Sequence, residues 1–104
     1  DNLVSEGFSI VSKIANEPGI ITVVGEIAMV NTGGLITDGI TYINVGKNAG
    51  DLAYKVLVDK VDIKTLPIVF LQEEDLEMAI NTTTEQQLEI NISSDLKEKA
   101  KLVE

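Results

Sequence analysis

Apolar residues in "LVSEGFSIVSKIAN", residues 3 to 16, fall at Val4, Phe8, Val11 and Ala15, with Leu3, Gly7, Ile10 and Ile14 beside them. That spacing is a wide stripe at the 3.6-residue period and predicts an amphipathic helix. Glu17-Pro18-Gly19 ends it, because proline has no amide to continue the ladder and glycine accepts the turn. "IITVV", residues 20 to 24, is a β-branched apolar run. Its continuous apolarity predicts a strand covered on both faces, as in a parallel sheet. Gly25-Glu26 closes it. "AMVNTGG" is then a short helical turn with Gly33-Gly34 as breaker.

"LITDGITY" predicts a second strand, interrupted at Asp38-Gly39 and parallel to the first. Over about 44 to 60, Val45, Ala49, Leu52, Ala53, Val56 and Leu57 share one helical face, which predicts a second long helix packed on the sheet. Gly46, Gly50 and Ala53 form a flat strip at the edge of that face. Glycine in a helix costs roughly 1 kcal/mol against alanine, so two of them imply a backbone lying close to a neighbour. Residues 61 to 65 form a connector. "LPIVFLQ", 66 to 72, and "LEMAIN", 76 to 81, predict two further strands. "TTTEQQLEI" opens with threonines followed by Glu85, a helix start. "ISSDLKEKAKLVE" reads as a final short helix capped by Ser93 or Ser94. The order of elements is that of an α/β fold: a three-layer α/β/α lobe on a mainly parallel sheet, formed by 1–104 as a single domain.

Composition narrows the chemistry. The 104 residues are 44% hydrophobic but only 4% aromatic, so the core is built of Ile, Val, Leu and Ala. The formal charge of −9 argues against nucleic acid and against anionic membrane surfaces, which need basic patches. There is neither cysteine nor histidine. Disulfides, thiol catalysis, Ser-His-Asp and Cys-His arrangements and cysteine-ligated zinc are therefore ruled out within the chain, and a metal site would have to be made of carboxylates alone. No stretch approaches the ~18 apolar residues of a membrane span. The chain opens on Asp-Asn rather than methionine, which reads as a processed chain or a piece of a larger one.

Three motifs invite chemistry and are better read structurally. Gly46-Lys47-Asn48 resembles the end of a phosphate-binding loop. The loop's first glycine would fall at Thr41, however, and its magnesium-binding hydroxyl at Asn48, so both departures fall on the mechanism. Asn81-Thr82-Thr83 and Asn91-Ile92-Ser93 match the short glycosylation pattern, which is common by chance. Glu73-Glu74-Asp75 lacks the alternating spacing of a calcium loop and reads as a solvated turn. Polar residues at strand ends carry more weight, since ligands of open α/β sheets bind outside the carboxyl ends of the strands. Glu26 follows the first strand, Asp38 and Thr41 interrupt or follow the second, and Asp1-Asn2 stand directly before a helix. Helix capping or loop solvation is the competing account of each.

"DN" before a helix, "VVGE", "GGLITDGITYINVGKNAGDLAYKVL", "LPIVF" and "MAINTTTEQQLEI" together resemble, in order and spacing, the C-terminal part of ABC-transporter substrate-binding proteins of the tryptophan/tyrosine type. The likeness covers nearly all of the chain. Gly46 and Gly50 match the family's helix glycines, Leu66-Pro67 its Leu-Pro strand, and Ile80-Asn81 its Ile-Asn. Thr41 stands where the family usually carries Asp or Asn. The resemblance implies a type I periplasmic-binding-protein-like fold, in which two α/β lobes close on a small solute, here an amino acid and plausibly an aromatic one. It implies ligand contacts at Asp1, Asn2, Gly25, Glu26, Asp38 and Thr41, with no catalytic residue, cofactor or metal. It also implies permease subunits as partners, and a lipid-anchored parent protein on the extracellular face of a bacterial membrane or in the periplasm. The alternative is the ligand-sensing core of a regulator with the same fold. A nucleotide-using α/β enzyme is disfavoured by the failed phosphate loop and the missing histidine.

Overall fold

The computed structural model describes residues 2–104. Helix α1 (Asn2–Asn16) leads to strand β1 (Val23–Glu26), the short helix α2 (Ile27–Asn31), strand β2 (Ile36–Ile40) and the long helix α3 (Tyr42–Leu57). Two 3-10 turns at Ile63–Thr65 and Glu73–Asp75 precede strand β3 (Leu76–Asn81), followed by helices α4 (Thr82–Gln87) and α5 (Ser94–Lys99) and strand β4 (Lys101–Val103). The sheet order is β1-β2-β3-β4; β1/β2 and β3/β4 are parallel and β2/β3 antiparallel. It is the expected mixed α/β fold with a mainly parallel sheet, and the two first strands are adjacent and parallel as the sequence predicts.

Side chains from three elements converge on the turn that ends α2. Asn81, at the end of β3, donates from Nδ2 to the Val30 carbonyl at 2.9 Å and accepts the Thr84 amide at 2.9 Å on its Oδ1. Ser12 Oγ donates to the Thr32 carbonyl, and Asn16 Nδ2 and Thr84 Oγ1 both donate to the Gly33 carbonyl. Carbonyls at a helix end lack helical partners, and here side chains supply hydrogen bonds to those of Val30, Thr32 and Gly33. Gly33 is required here. It has φ +106, and a Cβ on it would lie 2.6 Å from Ser12 Oγ. Around this knot sits a small apolar core of Phe8, Val30, Leu35, Ala79 and Ile80. Asn81 is itself buried and engaged, so its match to the glycosylation pattern is incidental.

The second fixed point is Glu85, buried on α4. One carboxylate oxygen accepts from Lys97 Nζ at 2.8 Å and from the Ile92 amide at 2.7 Å, which pins α5 and the preceding loop to α4. The Lys97 hydrogen bond first, and the Ile92 amide second, hold this carboxyl below its ordinary value of 4.5, against the opposing effect of burial.

Four expectations are corrected. Strand β1 begins at Val23 rather than Ile20, and it is an edge of the sheet with Ile20 and Ile21 exposed before it. The run 66–72 is extended but forms no strand, because no neighbouring strand of this chain lies beside it and Pro67 has no amide to donate. The end of the chain leaves its helix at Lys99 and becomes strand β4. Most consequentially, α3 buries none of its residues, and a Cβ on Gly46 or Gly50 would meet nothing within 4 Å. These glycines are not packing positions within this chain, so the overpacking expected of a side chain at Gly50 has no basis here. The radius of gyration, 17.4 Å, exceeds the ~13 Å of a compact chain this long.

Two tests follow from the packing. Asn81→Ala leaves the Thr84 amide without its partner and the Val30 carbonyl with the Gly33 amide alone. It should destabilise the fold by roughly 1–3 kcal/mol, the cost of one orphaned buried group, as read by urea denaturation. Gly39→Ala should cost about 1–3 kcal/mol in the same assay, because its Cβ would be driven into the backbone carbonyl of Gly25.

A third test is a pH series. A carboxyl whose folded pKa is depressed contributes stability above its unfolded value and loses it as pH falls through the folded one. Wild type should therefore exceed Glu85→Gln in stability above pH 4.5, and the difference should shrink progressively below it. A difference that is flat with pH would remove Glu85 from that role.

Candidate ligand-binding edge

Strands β1 and β2 run in the same direction, so their carboxyl ends, and the starts of α2 and α3 that follow them, share one edge of the sheet. At that edge the register slips. Val24 pairs with Thr37 and Glu26 with Ile40, so Asp38 and Gly39 stand opposite the single residue Gly25. This is a bulge, and it explains the break seen in the sequence. Gly39 lets the two backbones approach, while Thr37 Oγ1 donates to the Val24 carbonyl at 2.6 Å and stitches the strands below the bulge.

The start of α1 is brought to the same edge. Ser5 Oγ, one turn into α1, donates to Glu26 Oε1 at 2.7 Å. Glu26 occupies the cap position of α2 with extended backbone angles, yet its side chain makes no capping bond. The carboxylate reaches across to α1 instead. Thr41 caps α3, its hydroxyl accepting the Asn44 amide at 3.1 Å.

Glu26 and Thr41 face a shallow cleft of about 230 Å³, lined also by Ile27, Tyr42, Glu77 and Lys101. Asn2 is exposed at the head of α1, and Gly25 and Asp38 are exposed on their strands without lining the cleft. Asp1 lies outside the described residues. The arrangement gathers two carboxylates, Glu26 and Glu77, the amino ends of two long helices, a phenol and an ammonium. Helix amino ends favour anions and a carboxylate favours a cation, so the edge can orient a small molecule that carries both charges. Ser5, Tyr42, Glu77 and Lys101 were not singled out in the sequence. Ser5 could have been, because it lies three residues after Asn2 on the same helical face. Lys101 could not, since the residues around it read as helix.

A larger cleft of about 710 Å³ opens at the opposite, amino end of β2, between α1, Gly33 and the start of α4. Size does not make it the site. Ser12, Asn16, Asn81 and Thr84 in its wall donate to the carbonyls of Val30, Thr32 and Gly33 at the end of α2, while the buried Asn16 Oδ1 has no partner. Among the described residues no group of acidic side chains is placed to hold a metal ion, and no helix is long and apolar enough to cross a membrane.

A curated relative, the tyrosine-binding protein of Clostridioides difficile, is 38% identical over 96 residues, which is 91% of this chain and 27% of the relative. The chain thus spans about a quarter of the length of the curated relative it matches. Two crystal structures superpose on the whole chain. The ligand-free, open form of a substrate-binding protein with adhesive properties from Clostridium difficile is 28% identical, with a TM-score of 0.69 and 34% of that chain covered. An ABC domain from Streptococcus pneumoniae, solved in complex with L-Trp, is 24% identical, with a TM-score of 0.79 and 35% of that chain covered; this likeness is one of fold. The family described as "ABC transporter substrate binding protein" matches residues 1–104, and the chain belongs to that family.

Proposed function

We propose that this chain is part of the solute-capturing component of an ABC importer, and that the parent protein encloses an aromatic amino acid, tyrosine or a close relative, between two lobes. The observation that carries the reading is the position of Glu26. Its carboxylate is tied to the head of α1 by Ser5 at the carboxyl edge of β1 and β2, where ligands of open α/β sheets bind. Glu26 would receive the ammonium group. The backbone amides at the start of α1, with the side-chain amide of Asn2, would receive the carboxylate. Tyr42 and Ile27 offer apolar surface for the side chain, and Gly25, Asp38 and Thr41 shape the rim. The 38% identical relative named for tyrosine binding supports the choice of ligand.

On this reading the protein binds and releases rather than catalyses. Closure of the lobes excludes water, permease subunits take the solute from the closed form, and no cofactor or metal takes part. The parent would work at the extracellular face of the membrane or in the periplasm, held there by lipid. The competing account as the sensing core of a regulator finds no support in the family match or in the relatives.

Calorimetry with tyrosine, tryptophan, phenylalanine and branched amino acids tests the reading. The parent protein should bind one aromatic amino acid at micromolar concentration. Glu26→Gln in the parent should weaken binding by about 10- to 100-fold, the loss of one charge-assisted hydrogen bond. The 104 residues alone should bind only at millimolar concentration or weaker. Each solvent-exposed polar contact nets about 1 kcal/mol, which does not offset the several kcal/mol of lost translational and rotational freedom. Micromolar binding by the isolated chain would sink the two-lobed site, and no amino-acid binding by the parent would remove the ligand class.

A further inference from the structure

We propose that Lys101 and Glu77 together form a subsite that reads a hydroxyl group at the far end of the solute's side chain, so that the site prefers a phenol to a plain aromatic ring. The inference rests on the reading of this edge as an amino-acid site, and adds to it the residues that select among aromatic side chains.

Both residues line the cleft that Glu26 and Thr41 face, and they carry opposite charges. Neither charge is spent. Among the described residues the salt bridge joins Lys97 to Glu85, and neither the Lys101 ammonium nor the Glu77 carboxylate has a partner. The sheet register gives the reason. Glu77 is paired across to Gly39 on β2, and Lys101 to Ala79 on β3. Neither partner has a polar side chain to engage them. Glu77 is also half-buried, where a carboxylate without a partner costs free energy. Glu77 and Ala79 are two residues apart on one strand and so share a face of the sheet. The ammonium beside Ala79 and the carboxylate of Glu77 therefore open onto the same space.

The strand order sets this pair at the end of the cleft away from Glu26. With the order β1-β2-β3-β4, Glu26 on β1 and Lys101 on β4 stand three strand spacings apart, about 14 Å at ~4.8 Å each. A solute whose ammonium is held at Glu26, and whose carboxylate is held at the start of α1, keeps both charged groups on the β1 side. Its side chain then runs past Ile27 and Tyr42 towards β3 and β4. An anionic side chain would meet Glu77 there, and a cationic one Lys101. A neutral group that accepts from the ammonium and donates to the carboxylate satisfies both. A hydroxyl does this, and the aliphatic and aromatic walls suit a ring that carries one better than a polar amide chain. Such a site rejects the analogue that lacks the hydroxyl, because closure then leaves its own polar groups unpaired.

The test is calorimetry on the full-length parent with tyrosine and phenylalanine. Wild type should bind tyrosine about 10-fold or more tightly than phenylalanine. Lys101→Met and Glu77→Gln, each removing one of the two hydrogen bonds, should bring that ratio several-fold closer to unity. Lys101→Arg, which keeps a charged donor, should retain most of the preference. The ratio is the readout because a variant that merely loosens the fold weakens both ligands together. A wild type that does not prefer tyrosine, or Met and Gln variants that keep the full preference, would overturn the proposal. So would equal weakening of both ligands, which would place the solute's own charged groups, or a purely structural role, at this pair. A parent that binds no amino acid removes the amino-acid reading and this inference with it, whereas amino-acid binding without the preference removes the inference alone.

Discussion

The buried side-chain amide of Asn81 is the contact on which the rest of the sheet depends. It fixes β3 to the end of α2 through the Val30 carbonyl and starts α4 by accepting the Thr84 amide, while its own backbone amide bonds the Leu35 carbonyl at 2.8 Å. One residue thus locks the entry to β2, the exit of β3 and the direction of α4. The neighbouring carbonyls of Thr32 and Gly33 are satisfied from α1 and α4, which draws both helices onto the same turn. The apolar core around this knot has only five fully buried apolar side chains among the described residues. In so small a core, buried polar groups with complete partners specify the arrangement as much as hydrophobic area does.

That knot also sets the candidate ligand edge. Fixing α2 between β1 and β2 fixes Glu26, the residue before α2, and fixing α1 against the α2 turn brings Ser5 to Glu26. The bulge at Asp38-Gly39 gives β2 one extra residue over β1, so the chain enters α3 displaced from the position a regular ladder would give. The edge is open because neither helix amino end nor the carboxylate of Glu26 is spent on the sheet itself. At the larger polar cleft at the other end, Ser12, Asn16, Asn81 and Thr84 donate to the turn that ends α2.

Much of this was legible in the sequence where the signal was local. The 3.6-residue stripes gave α1 and α3, and the β-branched runs on either side of Gly33-Gly34 gave two parallel strands. The strand-end rule gave Glu26 and Thr41, which share the cleft, and Gly25 and Asp38, which sit at the bulge without lining it. What failed was decided at long range. Strand β4 is three residues, Lys101–Val103, within a lysine-rich stretch of good helix formers, and it is a strand because Leu102 lies opposite Ile80. Within α1 the side that turns inward carries Phe8 and Ser12, whereas Leu3, Ile10 and Ile14 stay exposed. The hydrophobic stripe was right about the helix and wrong about which edge of it this chain covers. Ser5–Glu26, a hydrogen bond across 21 residues, leaves no periodic trace at all.

The failures have a common cause. Periodicity records the burial for which a sequence was selected, and that burial is completed by the whole folded protein. Residues 66–72 have strand chemistry and no strand beside them; α3 has a core-facing stripe and no core; the first apolar run reads as covered on both faces and lies at a sheet edge. These misreadings occur where apolar residues face out of these 104 residues; strand β4, misread although it pairs with Ala79, Ile80 and Asn81 within the chain, is the exception. An amphipathic helix of 16 residues gains most of its stability from tertiary packing rather than from propensity. With no buried residue and Asn44 and Asn48 fastening its base to Asp75, α3 is therefore the element whose order depends most on what covers it, while the sheet and its candidate ligand edge rest on bonds already closed within the chain.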